Sequence, residues 1–351
     1  MNGNLHRARN NRKDDFYTLY ADIEEELRHY GRHFKGKTVY CNCDDLFVSD
    51  FVRYFLVNFN ALGLKRLIVS GFPVAGGKAC MAFIDSVPDG GCCIDRLLSL
   101  KENCAIELSD DGACPAGDFR SFEAEQVLDG TDIVVTNPPF SLFGEFVDRM
   151  VSAKKRFVVW GSGNALSYRG IFTLLQEGKL SVGYTANATK IFRIPSDYGE
   201  YDRRVTEMVG DGNRYCRVPS ITVYTDLDIE KRHRPLGLVK RYDPSLYPKY
   251  ENFDAINVDK VSDIPCDYRG MMGVPISFLN SYNPEQFEII GLGYGELAKR
   301  IGMGKIGRGF LDLYFKQGNK GNYVPNHVLC CYVDNKGRAK IPYARVIIRR
   351  K

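Results

Sequence analysis

A short, largely apolar run at residues 131–136 is followed at once by Asn137, Pro138, Pro139 and Phe140, and then by an amphipathic stretch at residues 142–153. No other feature constrains the fold as tightly. The run has the length and β-branched content of a buried parallel strand. Two successive prolines lack N–H donors and fix φ, so the chain must leave the sheet at this point. The stretch that follows has helical periodicity, which makes a strand–loop–helix unit of an α/β protein. Such proteins place ligand loops at the carboxyl ends of strands. Strand-like runs at 37–42, 66–70 and 156–160 and a helical pattern at 48–62 extend the alternation.

The residue types of the T-N-P-P-F loop fit one chemistry. An exocyclic amino group on a planar substrate is a poor nucleophile because its lone pair is delocalised into the ring or carbonyl. An enzyme that methylates it must hold each N–H with an acceptor. The Asn137 side-chain oxygen can accept one, and the Pro138 carbonyl, exposed in a stiff turn, can accept the other. Pro139 stiffens the same turn, and Phe140 would lie against the flat face of the substrate. Acceptors fixed in advance stabilise the charge that develops on nitrogen, so no strong base is needed. An ordinary loop after a strand could carry the same tetrapeptide, and the surrounding elements are what favour the catalytic reading.

At 351 residues the chain can form one large α/β domain with an added lobe, or two domains. It contains no apolar run of transmembrane length, and residues 1–15 are polar and basic with no signal-peptide core, so a cytoplasmic protein without a membrane anchor is expected. Its 11 cysteines are odd in number and scattered, as in a reducing compartment. The close pairs (Cys41 and Cys43, Cys92 and Cys93, Cys330 and Cys331) lack C-x-x-C spacing and nearby histidine pairs, so no metal is expected. Charge divides unevenly. Residues 1–178 hold 20 Lys+Arg against 24 Asp+Glu, and residues 179–351 hold 28 against 19. The second half therefore suits a polyanion, although basic residues also serve as a solvated face.

Four segments supply further candidates. Asn42, Asp44 and Asp45 follow the first strand and lack the glycine-rich loop of nucleotide binders; adjacent carboxylates disfavour phosphate and suit an ammonium and ribose hydroxyls. One of the two aspartates could instead cap the next helix. Asp118 and Phe119 precede the motif strand, where a carboxylate can accept from a cofactor's adenine amine and a ring can pack on the base, although an Asp near a helix start could equally be a cap. Residues 185–217 read as loop-rich and carry Lys190, Arg193, Arg203, Arg204 and Arg214, side chains suited to phosphates and base edges. Residues 174–183 read as helix and 220–225 as strand. Residues 73–117 read as an excursion of short strands (79–85 and 104–107). Gly302, Gly304 and Gly307 form a G-x-G-x-x-G without the strand and acidic residue of a dinucleotide site, so 302–309, with Lys305 and Arg308, reads as a basic loop near phosphate.

With these residues in hand, the chain resembles the EcoRI-type adenine-specific DNA methyltransferase family over nearly its whole length. The resemblance is carried by D-D-F-Y-T at 14–18, F-K-G-K-T-V-Y-C-N-C-D-D at 34–45, D-F-R-S at 118–121, T-N-P-P-F at 136–140, M-G-V-P-I-S-F-L at 272–279 and N-P-E-Q-F-E-I-I-G at 283–291. It implies a Rossmann-like class I methyltransferase core, a twisted and mostly parallel sheet with helices on both faces, joined to a loop-rich basic C-terminal recognition region. The implied organisation is a basic arm at 1–13, a cofactor-binding catalytic core at 14–180, and a DNA-binding region at 181–351 whose last strands return to the core. The implied cofactor is S-adenosyl-L-methionine, with Tyr17 and Thr18 closing over its methionine, Asn42, Asp44, Asp45 and Asn137 around it, and Asp118 with Phe119 at its adenine. The implied substrate is double-stranded DNA, with methyl transfer to N6 of a flipped adenine held by Asn137, Pro138, Pro139 and Phe140. A monomer is expected, in a bacterium or phage-encoded, paired with a cognate restriction endonuclease or acting alone. RNA or a protein glutamine would be alternative substrates of the same chemistry, and a non-catalytic DNA-binding protein is the remaining alternative. Leu46 and Phe47 depart from the family pattern after the Asp pair, and residues 80–114 do not align by eye.

Overall fold

The computed structural model describes residues 16–72, 78–88, 94–110, 114–194, 205–209 and 212–351. It divides into two compact units, one of residues 1–165 and 182–229 and the other of residues 166–181 and 230–351. The boundary thus falls differently from the expected division at 180/181: residues 182–229 belong to the first unit.

The first unit is built on a large mixed sheet. Its strands are β1 (Tyr17–Thr18), β2 (Thr38–Cys41), β3 (Arg66–Gly71), β4 (Cys80–Ile84), β5 (Ala105–Glu107), β6 (Ile133–Thr136), β7 (Arg156–Ser162), β8 (Ser181–Val182), β9 (Ala188–Ile194), β10 (Val205–Val209) and β11 (Asn213–Thr225). The order is β1-β9-β11-β7-β6-β2-β3-β4-β5, with β8 and β10 paired to β11. The central strands β7, β6, β2 and β3 are parallel, and antiparallel pairs flank them on both sides. All four residues of β2 and of β6 are buried, as in a strand covered on both faces. From β2 the chain runs to β3 on one side, and the later β6 adds on the other. β2 is therefore the topological switch point, outside whose carboxyl end open α/β sheets bind ligands.

Helices in this unit include α1 (Tyr20–Leu27), α2 (Asp50–Val57), α3 (Ile94–Cys104), α4 (Phe122–Asp129) and α5 (Phe143–Ser152). α5 buries Phe143, Phe146, Val147 and Met150, the i, i+3, i+4, i+7 stripe that its sequence pattern predicts. Ser49 caps α2 by accepting from the Phe51 N–H at 3.1 Å. The expected helix over 48–62 is broken at Asn58, after which Phe59–Leu62 forms one more turn. The expected excursion at 73–117 contributes β4 and β5 to the sheet edge and contains α3.

Two expectations for residues 169–217 are corrected. Residues 185–217 are not mainly loop: β9 and the long β11 form an antiparallel ribbon from Ala188↔Ile221 to Ile194↔Arg214. Lys190 and Arg193 within β9 obscured its alternation. The helix expected at 174–183 is α6 (Arg169–Gln176), ended by Glu177 and by Gly178 at φ +71°, a conformation glycine adopts without steric cost.

The second unit holds a four-stranded sheet in the order β12 (Ile256–Asn257), β13 (Met271–Pro275), β17 (Arg345–Arg350), β14 (Phe287–Leu292). It also holds a hairpin of β15 (Tyr332–Val333) and β16 (Ala339–Lys340), and the helices α7 (Gly295–Arg300) and α8 (Arg308–Lys316). The final strand therefore pairs with β13 and β14 and does not return to the large sheet. Its core gathers Tyr250, Ala298, Met303, Cys330 and Ile347. Among the described residues, no helix is long and apolar enough to cross a membrane, and no group of three His, Cys, Asp or Glu is arranged to hold a metal ion.

Candidate active site

The carboxyl ends of β2 and β6 are tied together by one buried carboxylate. Asp44 accepts from the Ser49 hydroxyl at 2.6 Å and from the Thr136 hydroxyl at 2.6 Å. Ser49 opens α2 and Thr136 ends the motif strand, so Asp44 joins three segments. Burial raises its pKa to about 6, against the lowering effect of the two hydroxyl bonds. Asp45 has a different job: its Oδ1 accepts from the Phe47 and Val48 N–H groups at 2.7 and 3.2 Å, shaping the turn before α2.

Backbone packing brings the loop ends unusually close. A Cβ on Gly71, at the end of β3, would lie 2.5 Å from the Asp44 nitrogen. Gly117 has φ +83°, and a Cβ there would lie 2.5 Å from the Gly71 carbonyl oxygen. Only glycine satisfies both positions. Next to this contact Asp118 is buried and gripped by Arg120, whose Nε donates to Oδ1 at 2.9 Å and Nη2 to Oδ2 at 2.6 Å. The pairing, above all its hydrogen bond, raises the guanidinium pKa and fixes the carboxylate plane. Phe119 packs edge-on against Phe146 with centroids 5.0 Å apart.

Asn137 follows Thr136. Its Nδ2 donates to the Phe16 carbonyl at 2.6 Å, while its Oδ1 is buried without a partner among the described residues. The Thr18 hydroxyl is likewise buried and unpartnered. Both residues line one cleft of about 700 Å³, mouth included, together with Tyr17, Asp44, Asp118, Phe119 and Pro139. Buried polar atoms are nearly always satisfied, so two orphans on one cleft mark a place for a ligand's polar groups.

The structure therefore brings together seven of the residues singled out from the sequence. Asn42, Asp45, Pro138 and Phe140 do not line the cleft. Asn42 is buried, and the Phe140 ring packs 5.4 Å from Phe16 and 6.4 Å from Phe192. Sequence reasoning missed Phe16, Cys43, Ser49, Asp50, Phe51, Phe72, Gly117 and Leu142 in the lining. Of these, Ser49 and Asp50 carried a legible signal, a capping residue opening a helix just after the Asp pair.

The basic candidates separate. Lys190 is bound to Asp22 at 2.7 Å and Glu25 at 2.9 Å, both on α1, so its charge is already neutralised. Arg193 donates to the Val48 carbonyl at 2.9 Å and lies 5.8 Å from the Tyr17 ring centre. Arg214 sits on β11 opposite Ile194. Arg203 and Arg204 lie outside the described residues. Lys305 is exposed, and Arg308, also exposed, opens α8 in the second unit.

An acidic, aromatic cleft at the switch point of a mixed sheet, beside an N-P-P-F loop with a free buried acceptor, is the layout of an enzyme that methylates planar amino groups. A family model described as adenine-specific methyltransferase EcoRI matches residues 4–351. The chain belongs to this family. It is 42% identical over 289 residues to the type II methyltransferase M.EcoRI of Escherichia coli, covering 82% of this chain and 88% of that protein. It is 39% identical to type II methyltransferase M.MpnI of Mycoplasma pneumoniae, with 82% and 84% covered, and 37% identical to M.MgeORF184P of Mycoplasma genitalium, with 82% and 85% covered. No solved structure gives a significant match.

Proposed function

We propose that the protein is a site-specific DNA adenine N6-methyltransferase with a Rossmann-like class I core, using S-adenosyl-L-methionine. The observation that carries the reading is the buried Oδ1 of Asn137 on the cleft, unpartnered among the described residues. The parallel order β7-β6-β2-β3 with the cleft at its switch point supports the core assignment.

The cleft fits the cofactor's chemistry. Asp44 and Asp50 suit its cationic ammonium, the Thr18 hydroxyl is a donor available to its carboxylate, and Phe119 and Asp118 suit an adenine face and amine. Asp118 retains acceptor capacity for that amine, since Oδ2 takes a single bond from Arg120. When bound, the cofactor's sulfonium supplies the methyl group.

The chain's residues do the rest. Asn137 Oδ1 accepts one N–H of the extruded adenine, drawing N6 out of conjugation so that its lone pair can attack; the carbonyl of Pro138, a buried residue outside the cleft lining, is assigned the other N–H. Both acceptors are neutral and fixed beforehand, which is the economical way to stabilise positive charge on nitrogen. The surplus proton leaves to water after transfer.

The second unit supplies the grip on duplex DNA. It holds 23 Lys+Arg against 13 Asp+Glu, whereas the first unit holds 25 against 30. All the net positive charge therefore resides there, and Lys305 and Arg308 are both exposed. Neutralising phosphates releases counterions and drives binding. The setting is a bacterial cytoplasm, with or without a matching endonuclease.

The test is incubation with methyl-labelled S-adenosyl-L-methionine and unmethylated duplex DNA, followed by digestion to nucleosides. Label in N6-methyldeoxyadenosine, and its loss in Asn137→Ala with cofactor affinity retained, is the expected result. Label in another nucleoside, or none with cofactor bound, would refute the assignment.

A further inference from the structure

Asparagine at position 137 is held by the backbone of Phe16, the residue just before β1. An amide can be turned two ways about its last bond, and the partner decides which. The Phe16 carbonyl has no proton to give, so the group 2.6 Å from it must be the donating NH₂. Oδ1 is then the atom without a partner among the described residues. Phe16 is itself fixed from two sides: its ring meets Phe140 and Phe192 at 5.4 and 5.6 Å, and β1, which follows it directly, pairs with β9 through Tyr17↔Arg193 and Thr18↔Phe192. A carbonyl so held cannot easily retreat.

We propose that the Phe16 backbone carbonyl is a positioning group for methyl transfer: it sets which atom of the Asn137 side chain meets the substrate amine, and it excludes an ionised aspartate from that position. The inference rests on the reading of Asn137 as the amine acceptor. A carboxylate at 137 would place an oxygen lone pair against the Phe16 oxygen, two acceptors at hydrogen-bond distance with no proton between them. Protonated, the same carboxyl would donate its O–H to Phe16 and leave its other oxygen to accept from the substrate. Asparagine is the side chain that satisfies both demands at neutral pH.

The experiment is Asn137→Asp in the full chain, read in two ways. Carbon-13 NMR of labelled aspartates follows the titration of the introduced carboxyl, whose midpoint is expected well above the ordinary value near ~4. Methyl transfer by the variant is expected to be lost at pH 8 and to rise as pH falls through that midpoint, while the wild type does not rise over the same range. Burial alone would also raise the midpoint, so a second change isolates the carbonyl. Replacing Tyr17 by its α-hydroxy acid turns the Phe16 amide into an ester, whose carbonyl is a weaker acceptor, with every side chain kept. In the Asn137→Asp background this is expected to lower the midpoint by about one pH unit, a tenfold change in proton affinity. An unmoved midpoint, or one at the ordinary carboxylate value before the ester is introduced, overturns the proposal. If instead the wild type transfers no methyl group, the functional reading fails, and the titration still decides the Phe16–Asn137 pairing.

Discussion

Replacing Asp44 with asparagine should make the protein more stable and a poorer binder of its cofactor. Burial raises the carboxyl to about 6, against an ordinary value near 4. For such a group, stability is fully present below the unfolded value and is lost as pH rises through the folded one. The ionised carboxylate at pH 7 therefore costs about 3 kcal/mol, at about 1.4 kcal/mol per pH unit. Asp44→Asn removes that charge without breaking the local network, because the Ser49 and Thr136 hydroxyls can each donate or accept and an amide offers one group of each kind. Urea unfolding should thus show the variant more stable by up to about 3 kcal/mol at pH 7 and by about half of that at pH 5, where the native carboxyl is mostly protonated. The single tryptophan, Trp160, is fully buried with its ring 4.9 Å from Phe51 of the cleft and reports the transition by fluorescence. A variant no more stable at pH 7, or a gain equal at the two pH values, would refute the idea that the buried carboxylate is held charged at a cost. Calorimetry with S-adenosyl-L-methionine completes the test: the wild type should bind more tightly as pH rises through about 6, and the variant should lose that dependence.

Arg120→Met should leave Asp118 without its guanidinium partner, keeping only the bond from the backbone N–H of residue 120, and raise the cofactor dissociation constant about tenfold, or about 1.4 kcal/mol, with kcat little changed; an equal fall in kcat would assign Arg120 to the reaction itself. Gly117→Ala combines φ +83° with a Cβ 2.5 Å from the Gly71 carbonyl, and should destabilise by more than about 2 kcal/mol in the same unfolding assay. Lys305→Ala with Arg308→Ala should make the salt dependence of DNA binding shallower by about one to two in log–log slope, whereas Lys190→Met should leave the slope unaltered because Asp22 and Glu25 already neutralise that lysine. A reversed pattern in filter-binding titrations would move the phosphate grip to β9.

The motif strand, its loop and α5 were legible because their signals are local. An apolar run, two prolines and an i, i+3, i+4, i+7 stripe each dictate backbone conformation within a few residues. Asp44 and Asp118 were legible as residue types placed after one strand and before another. The β9–β11 ribbon was not, since its lysines and arginines look like a loop until β11 pairs with them. Strands β4 and β5, at one end of the sheet, were partly visible, but their place in it was not.

The sequence by itself determined the chemistry on offer: an acceptor, a stiff turn and nearby carboxylates in an α/β chain. Tertiary structure decided what each group is free to do. Asn137 gives its donor to Phe16, 121 residues away. Asp44 reaches Thr136 across 92 residues, and Lys190 is neutralised by Asp22 across 168. Hydrogen bonding and charge pairing depend on separation in space over a few ångströms, and only the folded chain sets which distant groups come that close.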